Sequence, residues 1–161
     1  MREILFRGKA INRDKGYHKT KYKNGDWVYG LVTRLYDERF ENLPAEMTNI
    51  NGVSGIEVDY KTIGQYTGLT DKNGVRIFEG DILDVSSDVA YGGVAVHRLG
   101  YFVVEFHNGC FMKSALDDPQ LSFFDNAKRK GLYHFISTDI HKIVGNIHDN
   151  PEILKGGGDN G

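Results

Sequence analysis

His107 and Cys110 form the sharpest pair of potentially reactive side chains in this sequence. The intervening Asn108-Gly109 favours a two-residue turn, because both residue types tolerate positive φ. Such a turn would place His107 opposite Cys110 on one face of a hairpin, with Cβ atoms roughly 4.5–5.5 Å apart. A Cys–His pair at that range could supply an activated nucleophile. The alternative is a hairpin tip with two ordinary side chains, and we favour it because no third orienting residue is evident nearby.

Histidines and carboxylates offer two further candidate sites. The six histidines show no HExxH or other close metal-ligand spacing, so we predict no metal and no cofactor. His134 and His141 fall in predicted strands and could be neighbours, which keeps a zinc site as the alternative. Glu79, Asp81 and Asp84 could present a carboxylate pair to solvent. Carboxylates beside a turn usually solubilise it or accept backbone N–H groups, and we favour that interpretation, so no catalytic residue is predicted.

A basic segment at residues 13–23 is the strongest binding candidate. The candidate nucleic-acid-binding residues are Lys15, Lys19, Lys21, Tyr22 and Lys23. In an extended ribbon, Lys19, Lys21 and Lys23 share one face and Tyr22 lies on the other. Lysines can follow phosphates, and aromatic rings can stack on bases. The alternative is a solvated hairpin that docks on the acidic remainder of the chain or on a neighbouring subunit.

The charge of the chain is distributed unevenly. Residues 1–36 hold nine Lys/Arg and three Asp/Glu, a net charge of +6, and the remainder holds eleven and nineteen, a net charge of −8. This asymmetry fits an arm for an acidic partner, or two parts or subunits that attract each other. A single cysteine excludes an intrachain disulfide. No apolar stretch approaches the roughly 20 residues of a membrane span, and the N-terminus lacks signal-peptide character, so we predict a soluble cytoplasmic protein without membrane contact.

Short apolar runs, twenty glycines and three prolines favour strands and tight turns over helices. Strands are predicted at residues 1–11, 26–36, 55–69, 75–85, 97–106, 110–116, 132–137 and 141–147. Loops are predicted at 37–54 and 86–94, and helix-start signals predict a helix within 117–131. A short terminal helix is expected after Asn150-Pro151, and residues 155–161 should form a disordered tail.

The stretch QYTGLTDKNGVRIFEGDIL, residues 65–83, specifies a shape rather than a reactive site. Asn73-Gly74 supplies a turn, and Gly80 allows a sharp bend between two strands. Many short strands with glycine-supported corners suggest a small closed or nearly closed β-barrel.

The run IGQYTGLTDKNGVRIFEGDIL also resembles the signature block of the YopX family of phage and prophage proteins. MREILFR resembles the N-terminus of that family, and IVGNIHDNP, residues 143–151, resembles its C-terminal block. The resemblance implies a mainly β protein with an SH3-like barrel in its C-terminal part. We therefore expect an N-terminal β region at 1–60 and a barrel domain at 61–154, or one continuous domain over 1–154. The resemblance implies no activity and transfers no catalytic or ligand residue.

These observations predict a non-enzymatic phage or prophage accessory protein that works as a binding or assembly module. Self-association or a phage or host protein partner would serve that role. The alternative is a nucleic-acid-binding barrel that uses Lys15–Lys23, with Trp27 as a further candidate. A hydrolase built on His107 and Cys110 is the third and weakest interpretation.

Overall fold

The computed structural model describes residues 3–11, 21–35, 44–84, 87–91, 94–98, 100–107, 109–115, 133–134 and 141–153. These residues contain twelve β-strands and no α-helix, so the mainly β prediction is confirmed for this part of the chain. The short helix predicted after Asn150-Pro151 is not confirmed, because residues 151–152 form a turn, Ile153 has 3₁₀ conformation and the residues beyond it lie outside the described part. The helix predicted within 117–131 and the tail at 155–161 lie outside the described residues. The described part also contains no helix that is long and apolar enough to cross a membrane.

The chain divides into two compact units, Met1–Gly68 and Leu69–Gly161. The first unit contains β1 (Phe6–Ala10), β2 (Trp27–Arg34), β3 (Ala45–Asn49) and most of β4 (Ile56–Thr70). All pairs are antiparallel: β1 with β2, β2 with β3, β3 with β4, and β1 with β4. Each of these four strands therefore has two partners among the four.

Strand β3 corrects the prediction of a loop at residues 37–54. Its side chains alternate, with Ala45, Met47 and Asn49 buried and the two residues between them partly exposed. The sequence AEMTN conceals this alternation, because Ala and Glu are uncommon in strands and Asn49 is polar although it is buried.

One face of the four strands encloses an apolar core. The buried core residues are Ala10, Val28, Ala45, Met47, Ile56 and Val58. Two glycines also lie on this face. A Cβ on Gly8 would come within 3.1–3.3 Å of side-chain atoms of Met47 and Val58, and a Cβ on Gly30 would clash with the backbone of Thr48. The strands can therefore approach this closely only because these two positions carry no side chain.

The second unit contains the remaining strands. They are β5 (Arg76–Phe78), β6 (Asp81–Asp84), β7 (Ser87–Tyr91), β8 (Val94–Arg98), β9 (Tyr101–His107), β10 (Cys110–Ala115), β11 (Tyr133–His134) and β12 (Lys142–Asn146). Five of them form a sheet in the order β11-β10-β9-β6-β12, β7 pairs with β8, and β5 lies next to β4. The order of the five-stranded sheet is open among the described strands, so the SH3-like barrel predicted for 61–154 is not confirmed. The loop predicted at 86–94 is wrong, because it contains β7 and the start of β8.

The turns at residues 49–53 and 71–75 share one five-residue pattern, Asn/Asp-x-Asn-Gly-Val. In each turn the first N–H donates to the fifth carbonyl at 2.8 Å, and the fourth N–H donates to the first carbonyl at 2.9 Å. The glycine at the fourth position has φ near +80° in both, at Gly52 and Gly74. The Oδ1 atom of the first residue accepts the N–H groups of the third and fifth residues. Asn49 and Asp71 thus perform the same local task.

Asp71 has a second task inside the second unit. Its Oδ2 atom accepts the N–H of Ile143 in β12 at 3.1 Å, and the N–H of Lys72 donates to the carbonyl of His141 at 3.0 Å. Burial alone would raise the pKa of the Asp71 carboxyl, but the N–H groups of Val75, Ile143 and Asn73 outweigh it and hold the pKa below 3.8. Within the stretch at residues 65–83, Asp71 therefore connects the turn at 71–75 to the distant strand β12 by hydrogen bonds.

Candidate binding surface

The outer face of β1 and β2, on the side away from the core, combines cations with aromatic rings. Lys9 pairs with Trp27 and Arg7 pairs with Tyr29 in the antiparallel register. The Arg7 guanidinium carbon lies 4.6 Å from the Trp27 ring centroid, and Lys9 Nζ lies 5.2 Å from it. Arg7 is only 6% exposed and Lys9 is half-buried. An exposed cation–π contact at these distances contributes about 0.5–1 kcal/mol. Leu31 continues the same face of β2, so exposed apolar and aromatic side chains lie next to the half-buried Lys9.

Lys21, Tyr22 and Lys23 of the basic segment lie in the described part of the chain, whereas Lys15 and Lys19 lie outside it. Lys21 Nζ lies 5.7 Å from the Tyr22 ring centroid. The Tyr22 ring packs against the core of the first unit, and its hydroxyl accepts a hydrogen bond from Asn49 Nδ2 at 3.0 Å. Tyr22 thus has a structural role, and nucleic-acid binding by the segment stays a prediction.

A bulge in β4, the other neighbour of β1, carries two exposed side chains. Arg7 pairs with Gly64 and Lys9 pairs with Asp59, so β1 advances two residues while β4 advances five. The residues between these pairs, 60–63, form the β4 bulge. Two of them, Tyr60 and Lys61, are exposed, and Lys61 Nζ lies 5.7 Å from the Tyr60 ring centroid.

His107 and Cys110 take the positions that the sequence predicts. They face each other across the β9–β10 hairpin, and Gly109 has the expected positive φ, at 84°. Cys110 is exposed, and its thiol donates to the backbone carbonyl of His107 at 3.4 Å. That hydrogen bond joins the thiol to the backbone at the hairpin tip, and the interpretation of the pair as two ordinary side chains stays a prediction.

The carboxylates near residue 80 do not form a solvent-facing pair. Asp81 is 2% exposed, and its Oδ2 atom accepts the N–H of Phe78 at 2.7 Å across the bend at Gly80. Gly80 has φ of 82°, which confirms the predicted sharp bend. In the described ranges, no group of three or more His, Cys, Asp and Glu side chains is placed to hold a metal ion. His141 is completely buried.

The sequence analysis did not identify several residues of this surface. Arg7 and Lys9 carried a signal, because they alternate with Phe6, Gly8 and Ala10 in a predicted strand and must therefore share the opposite face. For Tyr60 and Lys61, the exposed pair in the β4 bulge, the sequence contained no such signal. A bulge depends on the neighbouring strand, and the sequence of β4 alone reads as one uninterrupted strand.

Comparison with known proteins comes to three findings. A family model described as "YopX protein" matches residues 9–155. The chain is also similar to a solved structure, protein EF1440 from Enterococcus faecalis, with 27% identity over 94% of this chain and 98% of that chain and a TM-score of 0.47. A search of curated proteins finds no match.

Proposed function

The chain belongs to the YopX family, and from that premise we propose that it is a non-enzymatic phage or prophage accessory protein that works as a self-associating binding module. The observation that supports this proposal is the outer face of β2. Tyr29 is 38% exposed and Leu31 is 51% exposed, whereas Val28 on the opposite face is completely buried. Tyrosine and tryptophan are common anchors of protein interfaces, and Trp27 lies on the same face.

A partner would have to meet this face through side chains. Both edges of β2 are already occupied, by β1 and by β3, so its backbone groups cannot receive an added strand. An interface here would therefore bury Tyr29 and Leu31 against apolar side chains of the partner. The half-buried Lys9 of β1 would lie at its rim, where a cation affects specificity and association rate more than affinity.

Leu31→Glu tests the proposal, with Val75→Glu as the matched control. Both positions are half exposed, at 51% and 52%, but Val75 lies in the second unit. Sedimentation velocity over a range of protein concentrations should show an oligomer for the wild type and for Val75→Glu. Leu31→Glu should shift the protein to monomers, because it would place a carboxylate in an apolar interface. A wild-type monomer at every concentration would count against self-association.

The basic segment supports a second candidate function, nucleic-acid binding. The specific observation is that Lys21 and Lys23 of this segment are exposed and that Lys21 Nζ lies 5.7 Å from the Tyr22 ring centroid. Fluorescence anisotropy with labelled DNA and RNA over a range of salt concentrations tests this candidate. For duplex DNA, each phosphate contact should contribute about −0.9 to the slope of log K against log salt. The triple variant Lys19→Glu, Lys21→Glu, Lys23→Glu should lose that binding if the segment is responsible.

A further inference from the structure

The β4 bulge, residues 60–63, is held by hydrogen bonds that replace the interrupted ladder. Thr62 Oγ1 accepts the backbone N–H of Lys9 at 2.8 Å and donates to the carbonyl of Asp59 at 2.7 Å. The Asp59 carboxylate accepts the N–H of Lys61 at 3.0 Å. Thr62 itself is 7% exposed. The protruding backbone is therefore fixed in advance of any contact, which lowers the ordering cost of binding.

The bulge turns an aromatic ring and a cation outward together. Tyr60 is 42% exposed, and the ammonium of Lys61 lies beside its ring. Lys9, which the Thr62 bond connects to the bulge, carries its own ammonium over Trp27 on the outer face of β1 and β2. Two combinations of ring and cation thus occur on adjoining strands of one unit. Bulges are a common device for redirecting side chains at functional sites.

We propose that the β4 bulge binds a single-stranded nucleic acid, with a base stacked on Tyr60 and the neighbouring phosphates contacted by Lys61 and Lys9. A base and its phosphate match an aromatic face with an ammonium beside it, and this combination gives single-strand binding with little sequence preference. Duplex bases are stacked on each other and could not reach Tyr60. The excess of nine Lys/Arg over three Asp/Glu in residues 1–36 adds the charge complementarity that an anionic strand requires.

This inference rests on the proposed role as a binding module, but it names a partner and residues outside the 13–23 segment. An acidic protein would use the lysines and could also use the exposed ring as an anchor, because tyrosine is common in protein interfaces. Direct binding of an oligonucleotide, with single strand preferred over duplex, therefore separates a nucleic acid from an acidic protein surface.

The test is fluorescence anisotropy of the full chain with a labelled oligothymidylate, from about 50 to 200 mM salt. Tyr60→Ala should weaken binding at least about fivefold, and Tyr60→Phe, which keeps the stacking surface, should bind like the wild type. Lys61→Gln should make the slope of log K against log salt shallower by about 0.7. Lys142→Gln, which removes an exposed strand lysine of the second unit, should leave the slope unchanged. Thermal unfolding of each variant confirms that the fold is intact.

Three results would overturn the inference: no binding at the lowest salt, tighter binding to duplex than to single strand, or wild-type affinity and slope for both Tyr60→Ala and Lys61→Gln. Sedimentation velocity on the same samples keeps this result separate from the proposed function. If the wild type self-associates but does not bind oligothymidylate, the proposed function stands and only the inference of a nucleic-acid partner is overturned.

Discussion

The turns at residues 49–53 and 71–75 form the same backbone in the two units, yet one begins with Asn49 and the other with Asp71. In both, the Oδ1 atom accepts two N–H groups within the turn. The second residue of each turn also donates its N–H to a neighbouring segment, Ile50 to the Tyr29 carbonyl at 2.9 Å and Lys72 to the His141 carbonyl at 3.0 Å. The local sequence therefore accounts for the hydrogen bonds within each turn, whereas the donation from the second residue depends on a neighbouring segment.

The two turns differ in the second polar atom of the first side chain. Asn49 Nδ2 donates to the hydroxyl of Tyr22, whereas Asp71 Oδ2 accepts the N–H of Ile143. An amide has one oxygen and one nitrogen, and a carboxylate has two acceptors. The Ile143 N–H can only donate, so it requires an acceptor such as the second oxygen of Asp71, whereas the Tyr22 hydroxyl accepts from Asn49 and is also able to donate. The distant contact therefore specifies the first residue of the second turn more strictly than that of the first turn.

The largest effect should come from Gly30→Ala, which would separate the first turn from its neighbouring strand. A Cβ at this position would clash with the Thr48 carbonyl and lie 2.7 Å from the Asn49 Cα atom. Because backbone has to move, we expect a loss of about 3 kcal/mol in the free energy of unfolding. Urea denaturation measures this loss, and Gly52→Ala in the same turn is the control, since its Cβ would meet open space. Equal losses for the two variants would contradict the close approach of β2 to the turn.

Exchanging Asn and Asp at the first positions of the two turns should lower the free energy of unfolding by unequal amounts. Asp71→Asn keeps Oδ1 but turns an amide donor towards the N–H of Ile143, so two donors face each other and about 1–3 kcal/mol is lost. Asn49→Asp faces the Tyr22 hydroxyl, which can rotate and donate to the new oxygen, so its loss should be smaller. Both variants can be compared by urea denaturation at neutral pH. A larger loss for Asn49→Asp would show that burial of charge outweighs hydrogen-bond matching.

These turns also show how far the sequence alone can be interpreted. Asn73-Gly74 was predictable as a turn and Gly80 as a bend, because the φ preferences of these residues are local. The bond from Ile143 to Asp71 was not predictable, since the two residues are 72 positions apart. The predicted His107–Cys110 pairing depended on a two-residue turn and is confirmed. The barrel predicted for 61–154 depended on how strands associate over long distances, and the β4 bulge depends on β1, so neither could be derived from local pattern.

Replacing the glycine of each turn by alanine should instead lower the free energy of unfolding by the same amount in both turns. Gly52→Ala and Gly74→Ala both force alanine into φ near +80°, and neither Cβ would have a neighbour within 4 Å. Only backbone strain remains, so each variant should lose about 1–2 kcal/mol. Thermal or urea denaturation of both variants should agree to within about 0.5 kcal/mol, the usual margin for independent sites. A larger difference would mean that the two turns are not the same structure.

The smallest expected effect is on the pH dependence of the free energy of unfolding. It distinguishes the two turns most directly, because only the second turn begins with a group that titrates. The pKa of Asp71 in the folded protein lies below 3.8, because the N–H donors of Val75, Ile143 and Asn73 outweigh the opposing effect of burial. Its carboxylate therefore contributes stability that is complete above pH 3.8 and is lost as the pH falls through the lower folded-state value. The difference in stability between wild type and Asp71→Asn should stay constant from neutral pH to about pH 4 and then shrink. Asn49→Ala is the control, since an amide does not titrate and its difference from wild type should be independent of pH. Urea denaturation at several pH values measures both differences, and a shrinkage that begins near neutral pH would contradict a lowered pKa at Asp71.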